Sequence, residues 1–236
     1  MMRVHPVASA ALFVMLLSVL SAQTVDADKG AELLRSRVSK FVVHQGTIFE
    51  GVAKLSSEQE GLALAFEDIL RTKISDAAAS DVRFDLQLEN QTFSNILDAL
   101  CQADPRFTWS NSSTVINVYP RSTIGDDSYL LNRRLSDTEL KNITDAEQAV
   151  FGVIAHLPPP FEQIALAQAG GDTSYGSPWN PHFHDTNVRE AFNLIAQRLG
   201  PRAGWVFNGS KEFRTLGFHN REIHYSSSGS INGDAK

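Results

Sequence analysis

Two histidines one residue apart, in the run His182-Phe183-His184-Asp185, form the most metal-like grouping in this chain. At i, i+2 on a strand they point to the same side, and with Asp185, His219 or His224 as a third ligand they offer the donor types that zinc takes. A secreted metal-binding protein or zinc-dependent hydrolase is the chemistry such a site would serve. The same spacing turns Phe183 to the opposite side, toward a core, and leaves His182 and His184 as solvated side chains. There is no His-Glu-x-x-His or paired-cysteine motif to support the metal reading. The plainer account is preferred: no catalytic residue, metal or cofactor is expected.

The other reactive side chains read the same way. Glu67-Asp68 and Asp126-Asp127 are neighbouring carboxylates, which diverge rather than converge, so they are expected as solvated turn charges and not a general acid–base pair. Cys101, the single cysteine, lies in an apolar helical stretch and is expected to be a buried small residue, and no intrachain disulfide can form. The serines at 174–177 and 226–230 have no nucleophile elbow around them. Asn-x-Ser/Thr acceptors occur at Asn90, Asn111, Asn142 and Asn208, two of them inside a repeated structural phrase described below.

The composition narrows the class. With 236 residues, 42% of them hydrophobic, the chain can build sizeable cores. Its net charge of −6 argues against nucleic acid or an anionic membrane surface as partner. Residues 1–22 read as a secretory signal peptide: Arg3, an apolar run over Ala10–Leu20, then small residues at a cleavage point. No later stretch is long enough to span a membrane. A periplasmic or secreted location is expected.

What positions these groups is a phrase that recurs four times: Val43–Thr47, Leu88–Thr92, Leu140–Thr144 and Phe183–Asn187. Each runs from an apolar residue through a polar one and a short polar residue or Gln to Thr or Asn. The first suits the end of a strand and the last a helix N-cap, so Thr47, Thr92, Thr144 and Asn187 are expected to start helices, with Asp145 sharing or taking the task of Thr144 because the third stripe is displaced by one residue. Glu50, Glu147 and Glu190 stand three residues after a cap, at capping-box spacing. The helices that follow show apolar stripes: Ile48, Val52 and Leu55; Phe93, Ile96, Leu97 and Leu100; Ala146, Ala149, Val150 and Val153; Val188, Ala191, Phe192 and Ile195. Leu62, Leu64 and Phe66 alternate as a strand, residues 170–178 read as a Gly/Ser loop, and Trp109 and Trp205 each follow a helix, packing a strand onto it.

Same-spaced stripes and a tryptophan after each second helix argue for duplication. The expectation is an α/β (α+β) fold of two tandem small βαββαββ domains, helices on mixed sheets. The divisions are a lead-in at 23–37, domain 1 at 38–120, a linker at 121–128, domain 2 at 129–220 and a disordered tail at 221–236.

Residues 40–120 resemble the short N-terminal domain shared by secretins and TonB-dependent receptors. Leu86, Leu88, Asn90, Thr92, Phe93, Ile96, Leu97 and Leu100 carry the resemblance, with Gly61-Leu62 before them and Val115–Tyr119 as the closing strand. Residues 129–219 look like a degenerate second copy, clearest at Asp185, Asn187, Val188, Phe192 and Ile195. The resemblance implies a non-enzymatic envelope module that contacts other proteins, accessory to a secretion, pilus or TonB-linked system. The membrane domains of those families find no counterpart in this sequence. Contact is expected through helix faces or strand addition at the edges Val115–Tyr119 and Phe213–Phe218, with Val115, Val118, Phe213 and Trp179 as interaction residues and envelope proteins as partners.

Overall fold

The computed structural model describes residues 30–58, 63–69, 82–112, 115–159, 164–166, 173–209 and 214–219. The signal segment 1–22, the tail 221–236, Phe213 and His224 lie outside them. After a helical lead-in over 30–35, the first half runs β1 (Arg37–Gly46), α1 (Ile48–Ser57), β2 (Ala63–Glu67), β3 (Phe84–Thr92), α2 (Phe93–Ala103), β4 (Phe107–Ser112) and β5 (Val115–Pro120). The second runs β6 (Thr138–Glu139), β7 (Ile143–Asp145), α3 (Ala146–Ala155), β8 (Ile164–Leu166), β9 (Ser174–Trp179), β10 (His182–Phe183), α4 (Val188–Leu199), β11 (Gly204–Gly209) and β12 (Arg214–His219).

The pairing scheme occurs twice. β1 pairs antiparallel with β3, as β7 does with β9. β4 pairs antiparallel with β5, as β11 does with β12. β2 pairs parallel with β5, as β8 does with β12. The short pair β6–β10 is an addition to the second half. The halves then fuse: β2 pairs parallel with β11, giving one six-stranded sheet in the order β4-β5-β2-β11-β12-β8.

Two cores lie on opposite faces of this sheet. Leu64, Phe66, Ile116 and Val118 face the helices of the first half. Ala63, Ala65, Trp205, Phe207, Leu216 and Phe218 face those of the second. β2 is therefore buried on both sides along its whole length. The alternating side chains of this strand serve two cores, and its alanines leave room for the second. Every residue of the four expected stripes is buried, with Val52, Leu55, Phe93 and Phe192 fully so. Each such Leu, Val or Phe contributes about 1.5–3 kcal/mol.

The repeated phrase has a conformational reason. Its third residue is Gln45, Asn90, Asn142 or Asp185, and these have φ of 45°, 50°, 55° and 48°. Among the described residues no other non-glycine has positive φ. Asn and Asp tolerate this left-handed region best, which turns the chain out of the strand and into the cap. Thr47 and Asn187 close full capping boxes with Glu50 and Glu190, and Thr92 caps through Asn95. At the third cap the displaced stripe decides between the two candidates. Asp145, not Thr144, caps α3, accepting from Gln148 N at 2.8 Å, and Gln148 rather than Glu147 reaches back, to Thr144 N.

Other expectations are corrected by the sheet. Residues 174–178, read as loop, belong to β9, where pairing with β7 outweighs the poor strand propensity of Gly176 and Pro178. β5 and β12, expected as edges, are interior strands, and Val115 and Val118 are fully buried.

Candidate functional site

The histidine pair sits as the i, i+2 spacing requires. Phe183 is fully buried in the second core, and His182 and His184 point outward. Both converge on one carboxylate, Asp137: His182 Nε2 lies 2.6 Å and His184 Nδ1 3.1 Å from its Oδ1. Hydrogen bonds from His184 and His182 hold the Asp137 carboxyl below its ordinary value. Asp185 does not join them; it turns to Arg134. His219 lies on interior β12, and among the described residues no three His, Cys, Asp or Glu side chains are placed to hold a metal ion. The arrangement is an exposed hydrogen-bonded cluster of Asp137 with the two imidazoles.

Cys101 is buried, and burial pushes its thiol up to about 12, far from a thiolate nucleophile at neutral pH. Asp126 is the turn charge it was expected to be, accepting from Ser128 N at 2.9 Å and from the Ser128 hydroxyl. Trp109 and Trp205 fasten strand to helix in matching fashion: their indole N–H groups donate to Asp98 at 2.8 Å and Asn193 at 2.9 Å. Trp179, expected as an exposed anchor, is half-buried, packed edge-on between Tyr175 and Phe183.

The unforeseen group is Glu67. It was expected at the surface; it is fully buried at the end of β2. Arg189, the second residue of α4, meets it with two donors: Nε bonds Oε1, and Nη2 bonds Oε2 at 2.9 Å. Tyr129 adds its hydroxyl to Oε2 at 3.2 Å. Arg189 Nη1 donates to Asn132 Oδ1 at 2.7 Å, and the guanidinium lies 4.7 Å from the Tyr119 ring centre. Burial pushes the Glu67 carboxyl above its ordinary range, against the pull of Arg189. At Arg189 burial pulls down, and the contacts to Glu67 outweigh it, so the guanidinium sits above its own ordinary value. Two N–H donors facing two carboxylate oxygens are the geometry of an ionised pair.

This pair belongs to the joint between the halves. There Asp68 N donates to Phe207 O at 2.8 Å. Gly204 lies so close to β2 that a Cβ built on it would stand 1.9 Å from the Leu64 carbonyl oxygen. Glycine is required here for backbone approach. Beside the joint, Phe49, Phe66, Phe107 and Val206 line a small pocket with Asp104 and Arg106 on its wall. Asp104 is buried and held by Arg106 Nε at 2.8 Å and Nη2 at 2.7 Å. The room inside, about 30 Å³, is far below the roughly 300–1,000 Å³ of small-molecule sites.

Among the described residues the six-stranded sheet ends in two outer strands, β4 and β8, each paired on one side. The fold defines a mixed α/β protein in which one strand-pairing scheme occurs twice. No family model matches this chain, and no curated protein or solved structure matches it.

Proposed function

We propose that this chain is an exported envelope protein, a non-enzymatic protein–protein interaction module of the secretin/TonB short N-terminal kind, which docks by strand addition at a sheet edge. One observation carries the reading: the molecule joins its own halves by laying the edge of one small sheet against the edge of the other, β2 on β11. Edge pairing supplies affinity through main-chain hydrogen bonds and needs no reactive side chains. Support from the sequence comes from the Leu86–Leu100 pattern and the signal-like first 22 residues.

The test uses the mature chain, residues 23–236, as bait for envelope proteins. β4 is the better-defined docking edge, six residues long against three for β8. A specific partner is expected, captured by the native chain and lost with Asn111→Pro, which removes a main-chain donor from β4. A folded chain that captures nothing in the micromolar range, or a partner held equally well by the variant, overturns the reading.

A further inference from the structure

The operation that joins the halves does not close on itself. Along the sheet each half contributes equivalent strands in the same order, β4-β5-β2 and then β11-β12-β8. The joint sets the last strand of the first set parallel to the first strand of the second. Strand directions reverse from one half to the next, because β2 is parallel to β11 and β11 antiparallel to β12. The helices change faces as well, as the two cores show. A half turn about an axis crossing the strands, with an advance of three strands, carries one half onto the other. A head-to-tail contact of this type leaves its two complementary surfaces unused at the ends. Among the described residues those are the β4 edge, equivalent to β11, and the β8 edge, equivalent to β2.

We infer that the chain self-associates head to tail, the β8 edge of one copy pairing in parallel with the β4 edge of the next and extending the six-stranded sheet. This rests on the edge-docking reading above and names the partner as a second copy of the same chain. The groups that would bond can be read from β4. Arg121 N donates to Arg106 O at 2.7 Å, and the register continues Thr108↔Tyr119 and Ser110↔Asn117. Bonded and non-bonded pairs alternate along an antiparallel ladder, so Trp109 and Asn111 turn their N–H and C=O groups to the open side. The Arg189 clamp has no counterpart on the β4 side of this contact. Arg189 is the second residue of α4, and the second residue of α2 is the uncharged Ser94. The intermolecular joint therefore has main-chain bonds without the clamp, and it also lacks the high effective concentration of an internal contact. Association is weak, reversible and open-ended.

Sedimentation of residues 23–236 across a wide concentration range tests this. The weight-average mass is expected to climb past a dimer without a plateau. Asn111→Pro, checked for native circular dichroism, should stay monomeric alone yet bind the native chain through its intact β8 edge, and so cap growth when mixed with it. A symmetric β4–β4 dimer would stop at twice the monomer mass, and the variant would not bind the native chain; that outcome overturns the inference. Amide exchange needs no variant: protection at Trp109 and Asn111 should rise with concentration while Thr108 and Ser110 stay protected throughout. A constant monomer mass with unchanged Trp109 and Asn111 exchange also overturns it. Should a different envelope protein be captured through β4 while the chain remains monomeric, self-association falls and the module reading stands.

Discussion

Replacing Arg189 with methionine isolates the joint between the halves. The side chain keeps its length and apolar stem, while Glu67, fully buried, keeps only the Tyr129 hydroxyl at 3.2 Å. Breaking a buried ion pair by removing one partner costs about 3–5 kcal/mol, because the remaining charge has no compensation. For a chain of this size that is roughly a 6–20 °C fall in Tm, at about 2–4 °C per kcal/mol. Glu67→Gln should lose a similar amount, since Arg189 is then left nearly buried opposite an uncharged amide. The double variant Glu67→Gln/Arg189→Met should recover much of the loss, because neither buried charge remains. Thermal and urea unfolding of all four proteins gives the coupling as a double-mutant cycle. The variant also carries a pH signature. Burial already raises the Glu67 carboxyl above 4.5, and without Arg189 it rises further. A group with a raised folded-state value contributes stability below its unfolded value and loses it as pH rises through the folded one. The Arg189→Met deficit should therefore be smallest near pH 4 and grow toward neutrality. A Tm shift below about 2 °C, or additive single effects, would refute the account of the joint.

Gly204→Ala should destabilise by about 1–3 kcal/mol or more, as overpacking against rigid backbone does, because its Cβ would meet the Leu64 carbonyl; urea titration reads it. Asp145→Ala should cost about 1 kcal/mol as a lost N-cap, and Thr144→Ala distinctly less, since Asp145 is the residue that caps α3. Asn90→Gly should be near neutral and Asn90→Val should cost about 1–2 kcal/mol at its positive φ. Asp137 should titrate below 3.8 by carboxyl NMR, its contribution present above the unfolded value and lost as pH falls through the folded one; changing both His182 and His184 to Ala should return it toward 3.8.

The helices were legible from local pattern. Val188–Leu199 begins and ends where its stripe and Asn187 place it, and so does the start of Ile48–Ser57 after Thr47. Amphipathic period and cap lie within a dozen residues, so the chain itself carries the information. The strands at 115–120 and 214–219 were legible as strands but not as interior ones. Which strand neighbours which is decided by pairings between distant segments, and β2 on β11 sets Ala65 opposite Trp205, far along the chain. Glu67 was misplaced for the same reason: its partner lies 122 residues away. Nothing near Glu67 in sequence marks it as different from an exposed turn charge such as Asp126. At the third cap a one-residue shift of the α3 stripe, itself visible in the sequence, hands the task from Thr144 to Asp145.

The buried ion pair answers a difficulty that duplication creates. Main-chain edges are nearly indifferent to partner, so β2 has two acceptable neighbours of equivalent design, β11 of its own chain and β4 of another. Beside β11 stands Arg189, two donors aimed at the Glu67 carboxylate. Beside β4 stands Ser94, which has no charge to offer. Pairing β2 with β4 of another copy would bury Glu67 with no guanidinium opposite it, at the several kcal/mol that an uncompensated carboxylate costs. The wrong joint is thereby penalised more strongly than the right one is stabilised, which is how discrimination between similar partners is commonly achieved. A consequence separates this from a purely stabilising role. The double variant Glu67→Gln/Arg189→Met, though close to native stability, should lose the discrimination, and refolding at high concentration should yield exchanged dimers in which β2 of one copy occupies the edge of another. If the double variant refolds as cleanly as the native chain, the pair does not select the partner of β2.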